Sequence, residues 1–120
     1  MDTLFASYLP HIRQQWLAEQ AGWEKRRKLA WEKARETAVL LQQQFAATQV
    51  MAFGSLTQSG TVYDEHSDVD LAVSGIPANC FFRAYAVATA VCAPFSLDLI
   101  DLDACPDSMR QSILVEGVKL

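Results

Sequence analysis

Between Thr3 and Ala47 the apolar side chains return at helical steps. Leu9, Ile12, Trp16, Trp23, Ala30, Ala34, Ala38, Leu41 and Phe45 lie three or four residues apart, or multiples of that. Such spacing gathers them on one stripe and predicts helix over 3–47. Pro10 and Gly22 interrupt the pattern and leave two shorter helices open. After Phe45 the period changes. "TQVMAF" (48–53) reads as a short buried strand running into Gly54. "SDVDLAV" (67–73) alternates, with Asp68, Asp70 and Ala72 on one face and Val69, Leu71 and Val73 on the other. "GIPAN" (75–79) is a turn. "CFFRAYAVATAVC" (80–92) fits a helix with Phe81, Ala84, Tyr85, Ala88 and Val91 on one side and Pro94 as its stop. "FSLDLID" (95–101) is a third strand. "PDSMRQSILVEG" (106–117) reads as a closing helix, with Pro106 near its first turn and Gly117 as its cap. This order predicts an α/β domain with a small sheet, covered or overhung by a long N-terminal helix.

Composition narrows the picture. The chain has 120 residues, the size of one domain. It divides into a helical segment (1–47) and a sheet-forming unit (48–120). No apolar run reaches the ~18 residues that suggest a membrane span, so no membrane association is expected. The start, "MDTLFASYLPHIRQQ", lacks the basic-then-apolar order of a secretory leader. Cys80, Cys92 and Cys105 are an odd set without CxxC spacing, as expected of free thiols in a cytoplasmic protein. The net charge of −4 is unevenly spread. The first 36 residues hold seven Lys/Arg against five Asp/Glu, and the rest hold three against nine. The acidic portion argues against nonspecific nucleic-acid binding through that surface. It suits a metal-dependent chemistry on an anionic substrate.

Asp68 and Asp70 stand two residues apart on a strand, so they share a face at ~6.6 Å along the chain. They repel unless a cation holds them. Mg²⁺ takes oxygen ligands, typically one or two carboxylates plus substrate phosphates. In "FSLDLIDLD", if Leu97 and Leu99 join the core face of Val69 and Leu71, Asp98 joins the acidic face. Asp101 has the parity of the leucines. Asp98 is therefore the preferred third ligand, provided the two strands are neighbours in register. Three carboxylates on adjacent strands suit a two-metal site for phosphoryl-type transfer. Gly54-Ser55 supplies the other half. A glycine directly after a strand lets the backbone approach a phosphate, and the serine hydroxyl with following N–H groups can bond its oxygens. The plain alternative is a solvated acidic turn. It leaves Asp70 unexplained, an acid inside a strand of β-formers.

Other residues carry weaker signals. Lys25–Lys28 in "EKRRKLAWEKARE" reads as a solvated basic helix face, with docking of RNA or an acidic partner as the functional alternative. Trp16, Trp23 and Trp31 read as packing residues, or as an interface where exposed. His66 and Ser67 read as polar surface beside the acidic pair.

"FGSLTQSGTVYDEHSDVDLAV" followed by "FSLDLIDL" resembles the nucleotidyltransferases of the DNA polymerase β superfamily. It is most similar to the small bacterial minimal nucleotidyltransferases, an antitoxin-like group. The resemblance covers about residues 48–117 and takes in the closing "ILVEGVKL". It implies a small mixed sheet of the nucleotidyltransferase type with flanking helices. It also implies two-metal nucleotidyl transfer from an NTP, commonly ATP, to a protein or RNA hydroxyl. Gly54 and Ser55 would then bind the triphosphate. Asp68 and Asp70 would hold both Mg²⁺ ions, and Asp98 the catalytic one while helping to activate the acceptor hydroxyl. The implied partner is a HEPN-type ribonuclease toxin, adenylylated on tyrosine. The apolar stripe of the N-terminal helix suits a homodimer or hetero-oligomer. Family loops often carry an arginine just after the GS pair, but "LTQSGTVYDEH" has no basic residue. The cationic role then falls to Arg83, Arg110 or a partner chain. Otherwise the chain is a non-catalytic binding or assembly module on the same fold.

Overall fold

The structure, a computed structural model, describes the backbone of residues 3–120 and the side chains of residues 9–120. Met1 and Asp2, at the head of the segment read as 1–47, lie outside the described residues. α1 (Thr3–Phe45) is one continuous helix with Pro10 inside it. Gly22 costs a helix only about 1 kcal/mol, too little to stop one whose following turns are packed. The helix ends where Ala46 takes a left-handed conformation (φ 62°) and the Ala47 N–H reaches back to the Leu41 carbonyl at 3.1 Å. That bond satisfies an otherwise orphaned carbonyl of the last turn.

The sheet follows. β1 (Gln49–Phe53) runs into a single 3₁₀ turn at Gly54–Thr57, and β2 is Val69–Ser74. α2 (Phe81–Cys92) crosses to β3 (Leu97–Asp101). α3 (Asp107–Glu116) leads to β4 (Val118–Lys119), a short strand that the periodicity did not predict. The strand order is β3-β2-β1-β4. β1 is antiparallel to β2 and β4, while β2 and β3 are parallel, so the sheet is mixed. The α2 crossover is what a parallel pair requires.

Alternation decides what each face of the sheet meets. Val50, Ala52, Val69, Leu71, Val73, Leu97 and Leu99 point to one side and pack with Ala30, Ala34, Ala38 and Leu41 of α1 and Ala84 and Ala88 of α2. The alanines of α1 recur every four residues, and side chains this small let helix and sheet approach closely. Met51 and Ala72 point the other way and pack with Leu102 and Ile113. The N-terminal part of α1 runs beyond this core. Leu9, Ile12, Trp16 and Leu17 are each about half exposed (47–55%). A helix of 43 residues measures ~65 Å at ~1.5 Å per residue, which matches the 65 Å long dimension of the molecule.

Candidate active site

The strand register sets two of the expected carboxylates side by side. Asp70 lies directly beside Asp98 in the parallel β2/β3 pair, as Val69 lies beside Leu97 and Leu71 beside Leu99. The leucines and valines of this pair are in the core, so both aspartates project from the opposite face. Asp68 sits one residue before β2, which begins at Val69 rather than at Ser67. The strand starts there because the Val69 N–H pairs with the Ser96 carbonyl at 2.8 Å. Asp101 pairs with Val73, on the leucine side of the alternation.

The GS turn meets one of these carboxylates, Asp70. Phe53, at the end of β1, pairs with Asp70 across the antiparallel ladder. Gly54 follows with φ 71°, a conformation that L side chains rarely adopt. A Cβ built on Gly54 would overlap Asp70 Oδ2 and lie 3.2 Å from Asp70 Cγ. A side chain here would strain the backbone and would have to displace the Asp70 carboxylate. A cleft of about 360 Å³ opens beside this turn, lined by Phe53, Gly54, Thr57 and Gln58 and, from α3, by Ser112, Ile113 and Glu116.

The electrostatics of Asp70 follow from this crowding. Its carboxyl is pushed up to about 6, first by burial, then by Asp98 and then by Asp68. Asp68 and Asp98 are exposed. The ion pairs among the described residues join Arg27 to Glu24, Lys33 to Glu36, His66 to Glu65 and Arg110 to Asp107, so none neutralises these three acids. The Tyr85 hydroxyl donates to the Leu97 carbonyl at 3.0 Å, with Asp98 Oδ1 3.5 Å away. Among the described residues no three His, Cys, Asp or Glu side chains are already grouped as a metal cage. Asp70 and Asp98 share a face of the sheet, and both Asp98 and Asp68 repel the Asp70 carboxylate. The donor set of hard oxygens, the raised acid and the lack of a paired cation fit Mg²⁺.

The loop between the GS turn and Asp68 is held from an unexpected direction. Neither Arg83 nor Arg110 reaches it. The Arg83 guanidinium lies 6.0 Å from the Phe45 ring centroid. Arg110 donates to the Leu102 and Cys105 carbonyls and pairs with Asp107. The cations at the loop come from the knot 25–28 on α1. Arg26 Nε donates to the Asp64 carbonyl at 2.9 Å, and an Arg27 terminal nitrogen donates to the carbonyl and hydroxyl of Thr61 at 2.8 and 3.0 Å. Lys25 and Lys28 remain exposed. Tyr63 is fully buried, and its hydroxyl donates to the Asp68 carbonyl at 3.0 Å. Burial is the first cause that pushes this phenol up to about 12. One signal for Arg27 was present in the sequence: it falls on the apolar stripe, between Trp23 and Ala30. Tyr63 carried no periodic signal.

No family model and no curated protein matches the chain. Solved structures do. A protein described as a minimal nucleotidyltransferase is 26% identical, with 77% of this chain and 95% of that one covered at a TM-score of 0.60. The chain has the nucleotidyltransferase fold. It is also similar to a chain of a toxin–antitoxin structure with AMP-PNP (20% identity; 70% and 69% covered; TM-score 0.57). A further match is to a chain of the tri-AMPylated Shewanella oneidensis HEPN toxin in complex with MNT antitoxin (17% identity; 75% and 70% covered; TM-score 0.56). The nucleotidyltransferase fold accounts for the small mixed sheet with its flanking helices.

Proposed function

We propose that this protein is a Mg²⁺-dependent nucleotidyltransferase that transfers the nucleotidyl group of ATP to a hydroxyl of a protein or RNA acceptor. The observation that carries the reading is the register pair Asp70–Asp98, with Gly54 set against the same carboxylate. Asp68, Asp70 and Asp98 are the residues that would hold two Mg²⁺ ions. Bound there, the ions would neutralise the acidic face and stabilise charge on the transferred phosphate. Gly54 keeps the turn free of a Cβ, so the triphosphate can approach the backbone, and Ser55 offers a hydroxyl to it. Asp98 is the carboxylate we assign to take the proton of the acceptor hydroxyl, because it is exposed and stands beside Asp70 in the strand register. Val69, Leu71, Leu97 and Leu99 keep the two strands rigid from behind.

The acceptor we favour is a HEPN-type toxin, with this chain as its antitoxin. Support comes from the toxin–antitoxin structures among its neighbours, one of them with a tri-AMPylated toxin. We read residues 1–47 as the partner-binding segment and 48–120 as the transfer unit. The exposed Leu9, Ile12, Trp16 and Leu17 suit a partner chain or a second copy. RNA as acceptor has less support, since Arg26 and Arg27 of the basic knot are already engaged with the loop. No helix among the described residues is long and apolar enough to cross a membrane. Free cysteines fit a cytoplasmic protein.

The test is transfer of label from α-labelled ATP with Mg²⁺ to the product of the adjacent gene. Labelling by the wild type and not by Asp68→Asn is the expected result. No label on any acceptor, with metal bound, rejects catalysis and favours a binding module.

A further inference from the structure

Arg27 is an unusual occupant of an apolar stripe. It is 3% exposed, and its Nε has no hydrogen-bond partner. A leucine or methionine would fill the position without burying a charge. The guanidinium is instead spent on the loop. It pairs with Glu24, donates to Thr61, and lies 5.2 Å from the centroid of the Tyr63 ring. Glu24 in turn accepts the Gly60 N–H at 3.1 Å. One turn of α1 thus holds the loop at Gly60, Thr61 and Asp64, and stacks on the tyrosine that bonds the Asp68 backbone. Residues 58–68 contribute no strand of their own.

We infer that Glu24, Arg26 and Arg27 form a clamp that fixes loop 58–68 against α1 and so positions Asp68. The catalytic half of this inference rests on the nucleotidyltransferase reading above. These are positioning residues: they touch the loop and not the acidic face. The arrangement makes this turn of α1 a support for the transfer unit as well as part of the partner-binding segment. It also supplies, from a helix far away in sequence, the anchoring cation that the loop itself lacks. Hydrogen-bond reach is short, so a shift of the helix relative to the sheet would be felt at Asp68 through Thr61 and Tyr63.

The experiment compares the full chain with Arg26→Gln, Arg27→Met and Thr61→Val. Thr61→Val removes the hydroxyl that accepts from Arg27, together with its own bond to the Gln58 carbonyl, and keeps the fold testable if Arg27→Met fails to fold. Lys33→Ala, which breaks only the pair with Glu36, is the control. Amide exchange is read at residues 60–67 and at 50–52 and 71–73, beside steady-state labelling from ATP. The expected result is exchange about tenfold faster in the loop with the strands unchanged. With it, kcat falls by about tenfold while the KM for ATP stays within about twofold. Lys33→Ala matches the wild type. Loop exchange unchanged in all three variants overturns the clamp. Equal loss of protection in strands and loop reduces it to general stability and also overturns it. Faster loop exchange with unchanged kcat in an active enzyme overturns the positioning role. A wild type that labels nothing overturns the catalytic reading instead, and loop exchange alone then decides the clamp.

Discussion

Asp70→Asn removes one charge from the acidic face while nearly preserving its shape. The Asp70 carboxyl is raised from 3.8 to about 6, so the folded state favours its neutral form. At ~1.4 kcal/mol per pKa unit, the shift corresponds to ~3 kcal/mol. Water on the open side of the site screens the repulsion, and ~1 kcal/mol is the expected size. The sign follows from proton linkage. Below pH 3.8 the carboxyl is protonated in both states. Between 3.8 and about 6 the folded chain holds the proton and the unfolded chain has lost it, so stability falls as pH rises through that window. Above it the penalty is complete. The assay is thermal unfolding of both proteins in EDTA across this pH range. At pH 7.5 Asp70→Asn should melt higher, by ~4 °C for a domain of this size. The gap should close towards the lower end of the window. Mg²⁺ should raise the wild type and leave the variant nearly unchanged. A variant that melts at or below the wild type in EDTA at pH 7.5, or a gap independent of pH, would refute the reasoning.

Three further outcomes follow from packing and hydrogen bonding. Gly54→Ala forces a Cβ into the Asp70 carboxylate at φ 71°, so it should cost ~1–2 kcal/mol in urea unfolding and weaken ATP binding. Tyr85→Phe removes the donor to the Leu97 carbonyl, and chemical denaturation should read a loss of ~1 kcal/mol. Ala34→Leu overfills the contact of α1 with the sheet, where Ala34 is fully buried, and should lower stability by ~1–3 kcal/mol by the same denaturation assay.

Much of the site could be read from alternation. A period of two fixes which side of a strand each residue takes, so the leucines of "FSLDLID" carried Asp98 to the face of Asp70 once the strands were neighbours. The register pair Asp70–Asp98 meets that condition. Helical spacing gave α1 its packed face, but not its continuity through Pro10 and Gly22, which local propensity penalises. β4 has only Val118 and Lys119, too short for any period to declare itself. The anchoring of the loop was hidden for a different reason. Arg26 and Asp64, like Arg27 and Thr61, are far apart in the chain and meet only when α1 lies along the sheet. Chain position alone therefore favours Arg83 and Arg110 as cations near the GS pair, and Arg27 reads as one more charge of the 25–28 knot.

In the proposed function the acidic face and the GS turn form one metal-dependent nucleotide site. Calorimetric titration of ATP into the wild type and Asp98→Asn, with Mg²⁺ and with EDTA, tests it most directly. The account expects saturable binding by the wild type that requires Mg²⁺ and weakens by about tenfold or more in Asp98→Asn. No binding at millimolar ATP, or equal binding by the variant or in EDTA, would contradict it.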